Sequence, residues 1–235
     1  MFKKFRESTA GHVIRKAVSP SAPIWVRAIR VVVLSAAALF GIDQAVLPNL
    51  PGRDLTKGES AMLREVFKDS VDYKKVRVHH SATADRILRW MGAEAVTHKN
   101  LIFMSQNACA KNYASCRDSY AKYVFVHEAA HVWQAQNGLM PGKLRMAFEN
   151  YRRLVPGGDY HKHYEYSLQE RKPLTAYNVE QQASIITDYH MHVRRGEGEM
   201  AFLNLDTAES PAAQRKDYER TLGDFRRNPA YPRTL

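Results

Sequence analysis

The run Val126-His127-Glu128-Ala129-Ala130-His131-Val132 restricts what this 235-residue chain can become more than any other part of it. The surrounding sequence, from about Ser119 to Asn137, has helical periodicity, and Gly138 stands where a C-terminal cap is expected. Residues four apart lie about 40° apart around a helix, so His127 and His131 project from one face and offer two imidazole nitrogens to one zinc ion. Glu128 borders that face and fits a general base acting on a water molecule at the metal. Phe125, Ala129 and Val132 lie on the opposite side, so the helix is expected to anchor by its back and turn its imidazoles toward a cleft.

A catalytic zinc takes three protein ligands and keeps one position open. Downstream candidates for the third are Glu180, His161, His163, His190 and His192. Glu180 has the best geometry: it opens a helix expected from Tyr177 to about Arg194, and the small Ala183 on the neighbouring turn leaves room for a metal. A donor for the oxyanion is also required. Tyr177, one turn before Glu180, is the first candidate, followed by Tyr166 and His163.

Elsewhere the pattern is helix-rich with a minor sheet, an α+β class. Thr56 and Glu59 have capping-box spacing and precede Met62, Leu63, Val66 and Phe67, predicting a helix over about 57–68. Val76-Arg77-Val78 and Leu101 to Met104 read as short strands, and Asp85 to Met91 as a helical turn. Further helices are expected over 142–154 and over 211–225, the latter with Ser210 as cap, and the tail 228–235 is expected to be extended. Cys109 and Cys116 lie close together in a polar loop, compatible either with a disulfide in an oxidising compartment or with two free thiols in the cytosol.

The net charge of +11 first suggests nucleic acid or an anionic membrane as partner. Its distribution argues otherwise. Residues 1–53 hold eight basic and two acidic side chains, more than half of the excess, around the apolar run Val31 to Ile42. A basic flank before an apolar stretch is a targeting pattern, although twelve residues fall short of the roughly 20 that span a bilayer. Residues 1–53 are therefore expected to direct export or to anchor the chain in an inner membrane through 24–47. The alternative is a helix packed on the protein's own core. His161, Lys162, His163, Tyr164 and Tyr166 interleave basic and aromatic groups, as single-strand binders do, but the modest charge after residue 53 makes nucleic acid an unexpected partner.

With these residues the chain resembles the zincin metallopeptidases of the gluzincin type, and more narrowly the bacterial Vgr-related metallopeptidases associated with contractile, type VI-like secretion systems. The narrower resemblance rests on Leu55-Thr56-Lys57-Gly58-Glu59, Val66-Phe67, Asp72-Tyr73, Val76-Arg77-Val78, the two cysteines, 126–136, and Tyr177-Asn178-Val179-Glu180-Gln181-Gln182-Ala183. It covers roughly 55–189. A metzincin continuation is absent, because Gln134 and Asn137 stand where its glycine and third histidine would be. The resemblance implies a zincin-like domain over 54–235, Zn2+ held by His127, His131 and Glu180, and Glu128 as general base. It also implies that the strand before the active helix, Leu101 to Met104, is the edge that holds a peptide. Three functions follow as expectations. The first is hydrolysis of amide bonds in a peptide or protein outside the cytoplasm, with a secretion-system or immunity protein as possible partner. The second is cleavage of peptidoglycan stem peptides by the same site. The third is a basic nucleic-acid or lipid binding module with structural zinc.

Overall fold

The structure, a computed structural model, describes residues 52–82, 85, 88, 94–105, 110–139, 164–168, 171–197 and 211–234. They belong to one compact unit assembled from Pro51–Met140 and Asp159–Leu235. The targeting segment, the helix expected over 142–154, and Cys109, His161, Lys162, His163 and Ser210 lie outside the described residues. Among the described residues no helix is long and apolar enough to cross a membrane.

The fold is α+β. Strand β1 (Arg53–Asp54) leads into helix α1 (Lys57–Phe67), then come β2 (Arg77–His79), β3 (Ala95–His98), β4 (Leu101–Met104) and the long helix α2 (Ser119–Gln136). Helix α3 (Val179–Asp188) continues as a π-helical turn, Tyr189–Arg194, and α4 (Pro211–Thr221) and α5 (Gly223–Arg227) follow. The sheet order is β1-β2-β4-β3, with β2 parallel to β4 and the other pairs antiparallel. This corrects one expectation. Leu101–Met104 is an inner strand, and the edge beside it is Ala95–His98, a strand the sequence reading did not foresee.

The capping box at α1 forms as its spacing predicts: Thr56 Oγ1 accepts from the Glu59 amide, and Glu59 accepts from the Thr56 amide. Glu59 does more than cap. Fully buried, it takes both guanidinium nitrogens of Arg53 at 2.7 Å and the Tyr113 amide at 2.9 Å, joining β1 to the loop that precedes α2. Tyr113 in turn stacks on Phe125 of α2 at 4.6 Å between ring centroids.

Helix α2 is the centre of the molecule. From Phe125 to Gln134 every side chain is buried, so the two-sided helix expected from the sequence is enclosed all round. Its back carries Trp133, which packs with Phe67 of α1 and Phe225 of α5, while the indole N–H donates to the Pro229 carbonyl at 2.8 Å. That contact draws in the tail, which turns as a 3-10 helix at Tyr231–Thr234 and is not extended. The C-terminus of α2 closes with the Leu139 amide donating to the Gln134 carbonyl, and Gly138 takes a φ of +79°. No heavy atom stands within 4 Å of a β-carbon placed on Gly138, so the effect of a side chain there is conformational alone. Gly138→Ala is expected to lower unfolding free energy by about 1 kcal/mol, measured by urea denaturation.

Candidate metal centre

Two helices bring the four residues together. Asp118 caps α2 through the Tyr120 and Ala121 amides, and two turns later His127, Glu128 and His131 come up on the side facing α3. Asn178 caps α3 in a reciprocal box with Gln181, placing Glu180 in the first turn, where the helix dipole favours a carboxylate. Potential ligand atoms of His127, Glu128 and His131 lie within 4.8 Å of one another.

Glu180 completes the set. Its Oε2 stands 3.1 Å from His131 Nε2 and 3.4 Å from His127 Nε2, and the imidazoles meet nearly at right angles, 83°. Ligand atoms about 2.0–2.1 Å from a tetrahedral zinc stand about 3.3 Å from each other. Two nitrogens and one oxygen thus converge at the separations that such an ion requires, and the donor set is one that zinc accepts. His127 Nδ1 and Glu128 Oε2 are buried and have no hydrogen-bond partner among the described residues. The arrangement fits a metal with an acid or base at its side.

Charge agrees with geometry. Burial pushes the Glu180 carboxyl up, but the charge of His131 and hydrogen bonds from both imidazoles outweigh it and hold the group well below the usual carboxylate range. Burial likewise pushes His131 down, yet the Glu180 carboxylate, with help from Glu128 and Gln134, raises it to about 9. Without metal, a proton on His131 therefore takes the place of the cation.

The sequence reading missed the residue that sets this geometry. Gln134, fully buried, accepts from His131 Nδ1 at 2.8 Å, which leaves the Nε2 lone pair free for a metal. Its amide nitrogen donates to the Val179 carbonyl at 2.8 Å and to Gln182 Oε1 at 3.1 Å. One side chain thus orients one histidine and ties α2 to the turn that carries Glu180. Its only sequence signal is its place three residues after His131. Thr97 Oγ1 donates to the Glu128 carbonyl at 3.0 Å, fastening edge strand β3 beside the general-base candidate.

The other predicted residues make these contacts. The Tyr177 hydroxyl donates to the Ser167 carbonyl at 2.7 Å, and Lys172 lies over its ring. Tyr166 joins Asp188 and Tyr218 in a buried hydroxyl–carboxylate cluster. His190 is buried further along, in the π-helical turn, and His192 is half-buried in the same turn. Tyr164, considered in the sequence only as part of a basic aromatic stretch, has its ring centroid 5.9 Å from that of His127. Tyr164 and Tyr166 are both buried, which leaves neither face-open for stacking on a base. Cys116 is disulfide-bonded.

Residues 55–139 match the family model described as the eCIS core domain. Over 144 residues, 60% of its length, the chain is 32% identical to the type VI secretion system spike protein VgrG2b of Pseudomonas aeruginosa, and the aligned stretch spans 13% of that protein. A solved structure, the effector domain of Pseudomonas aeruginosa VgrG2b, superposes with a TM-score of 0.55 at 24% identity, covering 82% of this chain and 94% of that one. The chain thus carries an eCIS core match, is homologous to a Vgr-type spike protein, and shares the fold of that protein's effector domain.

Proposed function

We propose that this chain is a zinc-dependent metallopeptidase that acts outside the cytoplasm as an effector of a type VI-like secretion system. The observation that carries the reading is the convergence of His127 Nε2, His131 Nε2 and Glu180 Oε2 beside the unpartnered Glu128 carboxylate oxygen. His127, His131 and Glu180 hold the metal. Bound zinc supplies Lewis-acid polarisation of a carbonyl and makes a water molecule more acidic. Glu128 takes the proton of that water at Oε2 and returns it to the leaving amine nitrogen. Gln134 keeps His131 in the tautomer that binds through Nε2. Strand β3, pinned to α2 through Thr97, offers its outer edge to an extended peptide. Homology to a spike protein, whose effector domain has this fold, supports delivery through a secretion system.

Purified protein is expected to contain about one equivalent of zinc and to cleave a peptide or protein substrate until the metal is chelated. Digestion of casein or a peptide library beside purified cell wall separates a peptidase from a peptidoglycan stem-peptide hydrolase. Protein that binds no zinc, or that cleaves equally well after metal removal, sinks the proposal.

Tyr177→Phe provides a smaller test. Because its hydroxyl serves the Ser167 carbonyl, loss of that bond is expected to cost about 1 kcal/mol of stability while kcat/KM stays within about threefold. A larger kinetic loss with unchanged zinc content would instead identify Tyr177 as the oxyanion donor.

A further inference from the structure

The π-helical turn that prolongs α3 carries a second site. His190 lies ten positions after Glu180, about 15 Å along the same helix. His190 is 2% exposed and lines a cleft of about 360 Å3, a size that suits a small ligand. Neither ring nitrogen has a hydrogen-bond partner among the described residues. A buried imidazole without partners is costly, because both its donor and its acceptor have been taken from water. Single π-turns in helices are frequent at functional sites.

The cleft's chemistry points to the ligand. Val66, Ile186 and Phe225, all buried, supply apolar lining. Lys68, Arg194, Arg215 and Arg226 contribute four cations against the two carboxylates Glu65 and Glu219. Those carboxylates already have partners: Glu65 pairs with Arg195 at 3.2 Å and Glu219 with Arg226 at 3.5 Å. Lys68 donates to the Arg226 and Arg227 carbonyls. Among the described residues Arg194 makes no ion pair, and Arg215 donates to the Val193 carbonyl and pairs with no carboxylate. Two exposed guanidiniums, unpaired with any carboxylate among the described residues, thus line the same cleft as the buried apolar side chains and the imidazole of His190.

We propose that this cleft binds an organic oxyanion, with Arg194 and Arg215 holding a carboxylate or phosphate head, the apolar lining taking its body, and His190 bonding a polar atom of the ligand. Guanidinium forks suit both heads. The site uses no residue of the metal centre and stands whether or not that centre hydrolyses peptides.

The test uses the full chain with phenyl phosphate, benzoate and inorganic phosphate, followed by calorimetry and by NMR of the histidine ring resonances. Phenyl phosphate or benzoate is expected to bind saturably at one site and to shift the His190 resonances; the tighter of the two identifies the head group. In the double variant Arg194→Gln, Arg215→Gln, which alters exposed side chains only, that affinity is expected to fall about tenfold or more. If no anion at millimolar concentration moves His190, or the double variant binds as tightly as wild type, the proposal is overturned. Inorganic phosphate binding as tightly as phenyl phosphate would overturn the role of the apolar lining.

Discussion

Glu128→Gln is expected to keep its zinc and to lose hydrolysis, with kcat lowered by about 10²–10⁴, the range over which a positioned acid–base group contributes. The amide is nearly isosteric with the carboxylate but cannot take a proton. Glu128 lies within 4.8 Å of the two histidines, but the atom that contacts both imidazole Nε2 atoms is Glu180 Oε2. Its Oε2 is instead buried without a partner, and its backbone carbonyl accepts from Thr97 whatever the side chain. Metal content by elemental analysis, thermal stability and turnover should therefore separate cleanly. Wild-type cleavage by the variant would remove Glu128 from the mechanism; loss of zinc along with activity would make it part of the binding site.

The centre was largely legible in the sequence because it is encoded locally. The spacing of His127 and His131 follows from helical geometry, and Glu180 announces itself by its place in the first turn of a capped helix. The capping box of Thr56 and Glu59 is local for the same reason. What escaped depends on partners distant in the chain. Strand order is set by pairings such as Arg77 with Leu101 and Ala95 with Met104, and no pattern within 101–104 distinguishes an inner strand from an edge. Ala95-Val96-Thr97-His98 has too few residues for alternation to stand out. The tail's 3-10 turn accompanies its docking on Trp133, a contact 96 residues distant. Gln134 reads as an ordinary polar helix residue until α3 is laid against it. Tyr177 depends on distant partners too: its hydroxyl donates to the Ser167 carbonyl, a bond that its place one turn before Glu180 does not announce.

If Glu180 is the third ligand, as proposed, removing it should have the largest effect on metal binding, and pH should reveal why. Glu180→Gln is expected to weaken zinc binding by at least about 100-fold, more than the 10–100-fold typical of losing a supporting hydrogen bond. Gln134→Leu, which removes only the partner of His131 Nδ1, should fall within that smaller range. On the proposed reading, zinc entering the wild-type site would displace a proton from His131, because Glu180 has raised that imidazole to about 9. The sign follows: below about pH 9 the metal-free site is protonated, so affinity falls as pH falls, by up to about tenfold per pH unit for one displaced proton. Glu180→Gln takes away the main carboxylate that holds this proton, leaving burial, the largest influence on His131, opposed by Glu128 and Gln134 alone among the named groups. Between pH 7 and 9 the variant should then bind zinc weakly but with a much flatter pH dependence. Competition titration against a zinc-selective dye across that range measures both quantities. An unchanged slope in Glu180→Gln would mean that the displaced proton sits elsewhere, and an unchanged affinity would mean that Glu180 does not hold the metal.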